Sequence, residues 1–298
     1  MKLLAKVEPF IGVLFVLVGA IFFSGKAIFV KLGLQAGASV MTLLNLRMLF
    51  ALPFFITMAI ISEKRNQVKI AGKDWAKILF LGISGYYLAS YFDFQGLKHI
   101  SAGLERLIIF LYPTIVVVLS ALIYKTPVRK SQIIALALTY IGVIIAFSGA
   151  TEHFNKNILV GSLLIFASAF SYAIYLIGSG KLIPKLGAIR FTSYGMIIST
   201  LAVLVHSNIT GTFTLIASTK VYLFGLGMGI LCTVIPAILL AEGIKRIGSS
   251  ATAIVGSIGP VSTIILAAII LNEKITVLQI VGTFIVIGGV VFVSRKSK

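Results

Sequence analysis

Ten predominantly apolar runs, most of them close to the length of a bilayer crossing, constrain this chain more than any other feature. They fall at about 10–30, 40–62, 77–97, 101–124, 131–149, 158–178, 191–207, 220–241, 250–271 and 276–294. Crossing the hydrocarbon core takes roughly 20 residues of α-helix. Lipid offers no hydrogen-bond partner to an open backbone, so only helices and closed barrels can span it. The runs are continuous rather than alternating, which argues against a barrel. The breaks between them are short and polar, as in SEKRNQVKIAGKD at 62–74 and YKTPVRKSQ at 124–132. Charged residues make up 11% of the 298 positions, against roughly 25% in a soluble domain that must wet its surface. The expected fold is all-α and membrane-integral, with ten transmembrane helices.

A net charge of +18 in a soluble protein would suggest nucleic-acid binding. Here the basic residues sit in short connections without a basic face or an aromatic platform, so no nucleic-acid partner is expected. They report topology instead. With the N-terminus inside, eighteen Lys and Arg fall in cytoplasmic segments and five outside, namely Lys31, Lys98, Lys156, Lys220 and Lys274. Both termini are therefore expected in the cytoplasm. The first run lacks a small-residue cleavage signature and reads as a retained helix. The single cysteine, Cys232, permits no internal disulfide and no cysteine-based metal site.

GLKHI at 96–100 returns as GIKRI at 243–247, an offset of 147 (243 − 96). The same offset pairs Pro113 with Pro260, Ala121 with Ala268, Gln132 with Gln279, and Gly142-Val143 with Gly289-Val290. The chain thus divides into two five-helix repeats, 1–150 and 151–298. An odd number of spans turns the second copy upside down. Inverted repeats are a recurrent plan of secondary transporters, whose halves exchange conformations around a central site.

A charge at mid-membrane costs about 2.5–3.5 kcal/mol on insertion scales, so each one calls for a reason. Lys26, Arg47, Asp93, Glu105 and Arg106 lie inside predicted spans, and the assigned topology gathers all five in the outer half of the first repeat. An Arg there suits a carboxylate or phosphate, gripped by two parallel hydrogen bonds. Asp93 or Glu105 could bind a substrate amine or a coupled proton. Helix–helix pairing with Arg47 or Arg106, and snorkelling to the interface, are the competing roles. Adjacent residues on a helix do not face each other, so Glu105 and Arg106 are expected to have different partners.

Tyr86, Ser90 and Asp93 share one helical face. Ser168, Ser171, Tyr172, Tyr175 and Ser179 form a second stripe, and Thr252, Gly256, Gly259 and Thr263 a third. Tyr86, Tyr172 and Tyr175 join the charged residues as candidate substrate contacts, although small-residue stripes also serve close helix packing. Pro113 and Pro260 are expected to kink their helices and free carbonyls for a cavity, as are Pro53 and Pro236.

His99, His153 and His206 make no metal-binding pair. A nucleophile elbow and a Walker lysine loop are both lacking, and GLGMG at 225–229 has no strand before it. No enzyme activity, cofactor or metal is expected.

The stretch GPVSTIILAAIILNEKITVLQIVGTFIVIGGVVFV at 259–293, together with Arg47, Pro113 and QIIALALTYIGVIIAFSG at 132–149, resembles the drug/metabolite transporter superfamily, specifically its EamA-type ten-helix bacterial members. The resemblance covers nearly the whole chain. It implies export of amino acids, related metabolites or drugs through a cavity between the repeats, in a bacterial inner membrane. Where the second repeat has Glu273, the first has Thr126, which leaves the role of Glu273 open between topology and transport. The expected partners are a small-molecule substrate, the bilayer and a coupled proton, with the chain monomeric or homodimeric. A carrier or flippase of lipid-linked or nucleotide-sugar substrates, and a non-transporting membrane scaffold, are the rival readings.

Overall fold

The computed structural model describes residues 2–65, 69–100, 102–125, 127–147, 156–214, 217–271 and 277–296. Thr126 and Glu273 lie outside the described residues. All regular structure among the described residues is helical: α1 Lys2–Gln35, α2 Val40–Arg65, α3 Gly72–Gly82, α4 Ala89–Gly96, α5 Ala102–Ile109, α6 Tyr112–Tyr124, α7 Lys130–Phe147, α8 Lys156–Leu186, α9 Ala188–Ile209, α10 Thr219–Gly229, α11 Ile235–Val255, α12 Gly259–Leu271 and α13 Val277–Lys296. Wider π turns join α3 to α4 at Ile83–Leu88 and α10 to α11 at Ile230–Val234, and a 3₁₀ turn, Gly256–Ile258, leads into α12.

Among the described residues five helices are long and apolar enough to cross a membrane: Pro9–Gln35, Val40–Arg65, Lys156–Leu186, Ala188–Ile209 and Thr219–Val255, the last kinked at Gly248. The seventh apolar run, short in sequence, lies in the 22-residue α9. Other runs are helical but interrupted. The third passes through the Ile83–Leu88 turn, and the fourth breaks at Phe110 and Leu111 between α5 and α6. Pro113 follows that break as the second residue of α6, where its missing N–H has no helical partner to lose. Pro260 holds the same place in α12. Both prolines therefore start helices after a break; they do not bend continuous ones.

The 147-residue offset recurs in the element boundaries. It carries the start of α3 onto α10, the start of one π turn onto the other, α6 onto α12 and the start of α7 onto α13. In the first helix of each repeat the register slips to 149 (161 − 12): Gly12 of α1 abuts Arg246 and Ile247, as Gly161 of α8 abuts His99 and Ile100. Packing is reciprocal across the repeats. α1 lies on α11 while α8 lies on α4; α2 lies on α9, and α7 on α13. Reciprocal contact of this kind marks a pseudo-two-fold axis. Gly142 approaches Gly282 and Val286 while Gly289 approaches Ala135 and Thr139, so α7 and α13 run antiparallel and the axis lies across the helices.

Van der Waals packing between small residues draws membrane helices together where lipid removes the hydrophobic incentive. Such approaches recur along α1–α11 and α4–α8, where glycines let backbones close in. Gly37 and Gly187 have φ of 83° and 88°, a left-handed turn between the first two helices of each repeat that a β-carbon would strain. The outer surface is apolar, with Phe10, Leu122, Ile209 and Phe284 exposed, while Lys26, Arg47, Asp93, Glu105 and Arg106 are buried.

A β-carbon at Gly85 would overlap Tyr175, whereas Gly288 has nothing within 4 Å. Gly85→Val is expected to cost about 1–3 kcal/mol through overpacking, read as a lower thermal midpoint in detergent. Gly288→Val should leave the midpoint unchanged.

Candidate functional site

A cavity of about 60 Å³ lies between α1, α4, α5, α8, α11 and the start of α12. Its wall carries Lys26 and Ser24 from α1, Ser90 from α4, Arg106 from α5, Ser168 and Tyr172 from α8, and Thr252 from α11. The two carboxylates stand beside the cations. Lys26 Nζ is 2.6 Å from Asp93 Oδ2, and Arg106 Nε is 3.1 Å from Glu105 Oε2. Sequence spacing gives Glu105 and Arg106 separate partners; in the fold Arg106 bends back onto its neighbour and also donates to the Ser24 carbonyl at 3.3 Å. That second bond accounts for the turn, because it ties α5 to α1.

Asp93 and Glu105 have no solvent exposure; each meets a cation and the other's carboxyl group, and neither takes a further donor among the described residues. Each carboxylate therefore has ionic contact but unused lone pairs. Three cations against two acids leave the cluster with one formal positive charge when all are ionised.

Arg47 sits one step from the cavity. Its Nε donates to Thr233 Oγ1 at 2.7 Å and its Nη1 to Ser90 Oγ at 2.8 Å, with the guanidinium 5.6 Å from the Phe94 ring. Thr233 belongs to the second π turn and Tyr86 to the first. Turns of this kind re-aim side chains and recur at functional sites. Tyr86 and Tyr175 share a hydrogen bond at 2.6 Å. Tyr175 stacks at 5.9 Å on Tyr172, and Tyr172 stacks at 6.4 Å on Phe23, over which Lys26 lies at 4.6 Å. Phe23 and Tyr172 are equivalent in the 149 register, so their stack sits on the pseudo-two-fold axis. Of the three candidate tyrosines, Tyr172 lines the cavity and the other two stand behind it. Thr252, Gly256 and Gly259 of the third stripe also face the cavity.

A second polar group went unrecognised in the sequence. Arg190 of α9 grips Glu63 of α2 through Nε at 2.8 Å and Nη2 at 2.6 Å, and Tyr194 donates to Glu63 at 2.6 Å. Lys185 of α8 pairs with Asp74 of α3, and its hydrogen bond holds the Asp74 carboxyl below the usual range. The chain has eight acids, and two of them in a strongly basic connection were the available signal. These bonds join the ends of α2 and α3 to α8 and α9. A wider vestibule of about 470 Å³ opens between α6, α7 and α11, lined by Tyr124, Arg129, Gln132 and Ile247–Ala251.

The model of the EamA-like transporter family matches residues 10–148 and again 159–295. The chain is 32% identical over 292 residues to the "uncharacterized transporter YcbK" of Bacillus subtilis (strain 168), covering 96% of this chain and 92% of that protein. An "uncharacterized transporter" of Archaeoglobus fulgidus is 27% identical over 278 residues, 92% of this chain and 94% of its own length. One solved crystal structure superposes with a TM-score of 0.77 over 96% of this chain and 97% of the other. At 16% identity that likeness shows the fold alone.

Breaking a buried ion pair from one side leaves an uncompensated charge, at a cost of about 3–5 kcal/mol, whereas replacing both partners with apolar groups is often neutral. Asp93→Asn is therefore expected to lower the thermal midpoint markedly. Lys26→Met combined with Asp93→Leu should recover most of the loss, as a double-mutant cycle in detergent would measure.

Proposed function

The chain belongs to the EamA-like transporter family, and we propose that it exports a small polar or zwitterionic metabolite, such as an amino acid or related compound, by proton-coupled alternating access. The carrying observation is the ion-paired, net-positive cluster beside an aromatic-walled cavity between the two repeats.

In this reading the substrate's carboxylate competes with Asp93 and Glu105 for Lys26 and Arg106. Arg47 supports the wall through Ser90, and Tyr172 packs against the substrate's body. A carboxylate displaced from its cation then becomes free to bind the substrate's amine or a proton. Binding of substrate and of proton are linked because both act on the same two ion pairs.

The cavity has room for only a few water molecules, so substrate entry requires its walls to part. The second half of α11 is the natural moving part. It follows Gly248, whose φ is 79°, and ends in the 3₁₀ turn at Gly256–Ile258. One side of it borders the vestibule and another the cavity. The vestibule is flanked by Arg129 and lies next to Lys245 and Arg246 in sequence, at the end that basic residues assign to the cytoplasm. Loading from that end fits export. The antiparallel pairing of α7 with α13 supports an inverted arrangement of 1–150 and 151–298, and the distribution of Lys and Arg supports ten spans with both termini on the cytoplasmic side of the cell membrane.

The decisive measurement is uptake of a pooled, isotope-labelled amino-acid and metabolite mixture into proteoliposomes, with and without an imposed proton gradient. The wild type should accumulate a few compounds only with the gradient. Glu105→Gln should lose that dependence, and unaltered transport with unaltered pH dependence in the variant would remove Glu105 from the mechanism. For topology, Lys69→Cys and Lys156→Cys in a Cys232→Ala background should react with an impermeant maleimide from opposite faces of the membrane. Reaction from one face would overturn the orientation.

A further inference from the structure

A groove of about 290 Å³ runs between α3, α6 and α8, away from the central cavity. Its body is apolar, formed by Phe80, Leu119, Ile123, Ile174 and Ile177, and one end carries Lys77 and Lys181. Phe80 and Ile123 on its lips are 58% and 59% exposed, as expected of side chains that meet lipid. Both lysines lie outside the direct ion pairs, although Lys77 acts on Asp74, one turn away, through longer-range attraction. Among the described residues neither makes an ion pair, while the neighbouring Lys185 and Arg190 are matched to Asp74 and Glu63. Lys181 Nζ stands 3.8 Å from the centroid of the Tyr124 ring, which fixes the ammonium at the mouth of the groove.

We propose that this groove binds an anionic phospholipid, with the headgroup phosphate on Lys77 and Lys181 and an acyl chain along Phe80, Leu119 and Ile174. Charge complementarity selects the occupant. A neutral, wholly apolar groove would accept any acyl chain, whereas two ammonium groups outside any direct ion pair at the polar end favour a headgroup with net negative charge. Basic pockets between membrane helices at the cytoplasmic side recognise such headgroups. Two lysines near the surface favour the anionic lipid over a zwitterionic one by roughly ten- to thirtyfold. Tyr124 borders both this groove and the vestibule, so an occupant of the groove touches the wall of the vestibule. The proposal rests on immersion in a bilayer and is independent of the substrate reading.

The test measures the thermal midpoint of purified full-length protein in detergent. Dioleoylphosphatidylglycerol, dioleoylphosphatidylcholine or soluble glycerol 3-phosphate is added to the wild type, to Lys77→Gln/Lys181→Gln and to Lys69→Gln/Lys73→Gln. The anionic lipid should raise the wild-type midpoint more than the zwitterionic lipid does. That increment should vanish in Lys77→Gln/Lys181→Gln and persist in the control, which loses the same charge from nearby exposed positions. Equal response to both lipids, an increment retained in Lys77→Gln/Lys181→Gln, or the full effect from glycerol 3-phosphate alone would overturn the proposal. So would a midpoint that rises with protein concentration and ignores both lipids, which would assign the groove to a second copy of the chain.

Discussion

A backbone immersed in lipid must satisfy its own hydrogen bonds, and irregular chain is tolerated there only where protein or a cavity surrounds it. The rest of the structure follows from that constraint. The departures from α-helical geometry at Ile83–Leu88, Phe110–Leu111, Ile230–Val234 and Gly256–Ile258 all fall within predicted spans. Ala89, Phe110, Tyr112 and Gly256, at or next to three of these breaks, line the cavity. The remaining one, Ile230–Val234, carries the Thr233 hydroxyl that holds Arg47. Re-aimed side chains are thus placed where polar groups are needed.

Interior and exterior divide accordingly. Large apolar side chains are left on the outside without penalty, because lipid solvates them as well as a protein core would. Helix contacts then depend on shape, so the close approaches at Gly12, Gly85, Gly96 and Gly161 do the work that hydrophobic burial does in a soluble bundle. Polar side chains are free to collect inside, provided each finds a partner. The same division explains the terminal ion pairs. Glu63 with Arg190 and Asp74 with Lys185 join helix ends, where part of each pair reaches polar surroundings and desolvation is incomplete.

The apolar runs, the 147-residue repeat and the five intramembrane charges were legible because each is a property of residue type and spacing. The break before Pro113 and its copy before Pro260 were half legible. Proline announced an interruption, but whether it bends a helix or begins one depends on the residues before it. The second π turn was also half legible, since Pro236 follows it as the second residue of α11; the first was not. Ile83–Leu88 contains no proline, and the contact of its Gly85 with Tyr175 of the other repeat is not a matter of spacing. Nor could spacing pair Lys26 with Asp93 or turn Arg106 onto Glu105, since the Ser24 carbonyl that draws Arg106 over comes from 82 residues away. Glu63 and Asp74 read as minor charges in a basic loop because their partners lie more than a hundred residues on.

The repeat supplies an internal control on what the central charges are for. In the 149 register Lys26 corresponds to Tyr175, and in the 147 register Asp93, Glu105 and Arg106 correspond to Leu240, Thr252 and Ala253. One pseudo-symmetric scaffold therefore packs the same positions in two ways, charged on one side of the axis and neutral on the other. Tyr175, Thr252 and Ala253 are buried as fully as their charged counterparts, so the architecture has a neutral solution for these sites. Burying a charge is costly even when it is paired, and the other half shows that the scaffold closes without charges at these positions. What the charged half adds is two cations on the cavity wall, held beside carboxylates with unused lone pairs. In the proposed reading those are the properties that suit this half to binding substrate.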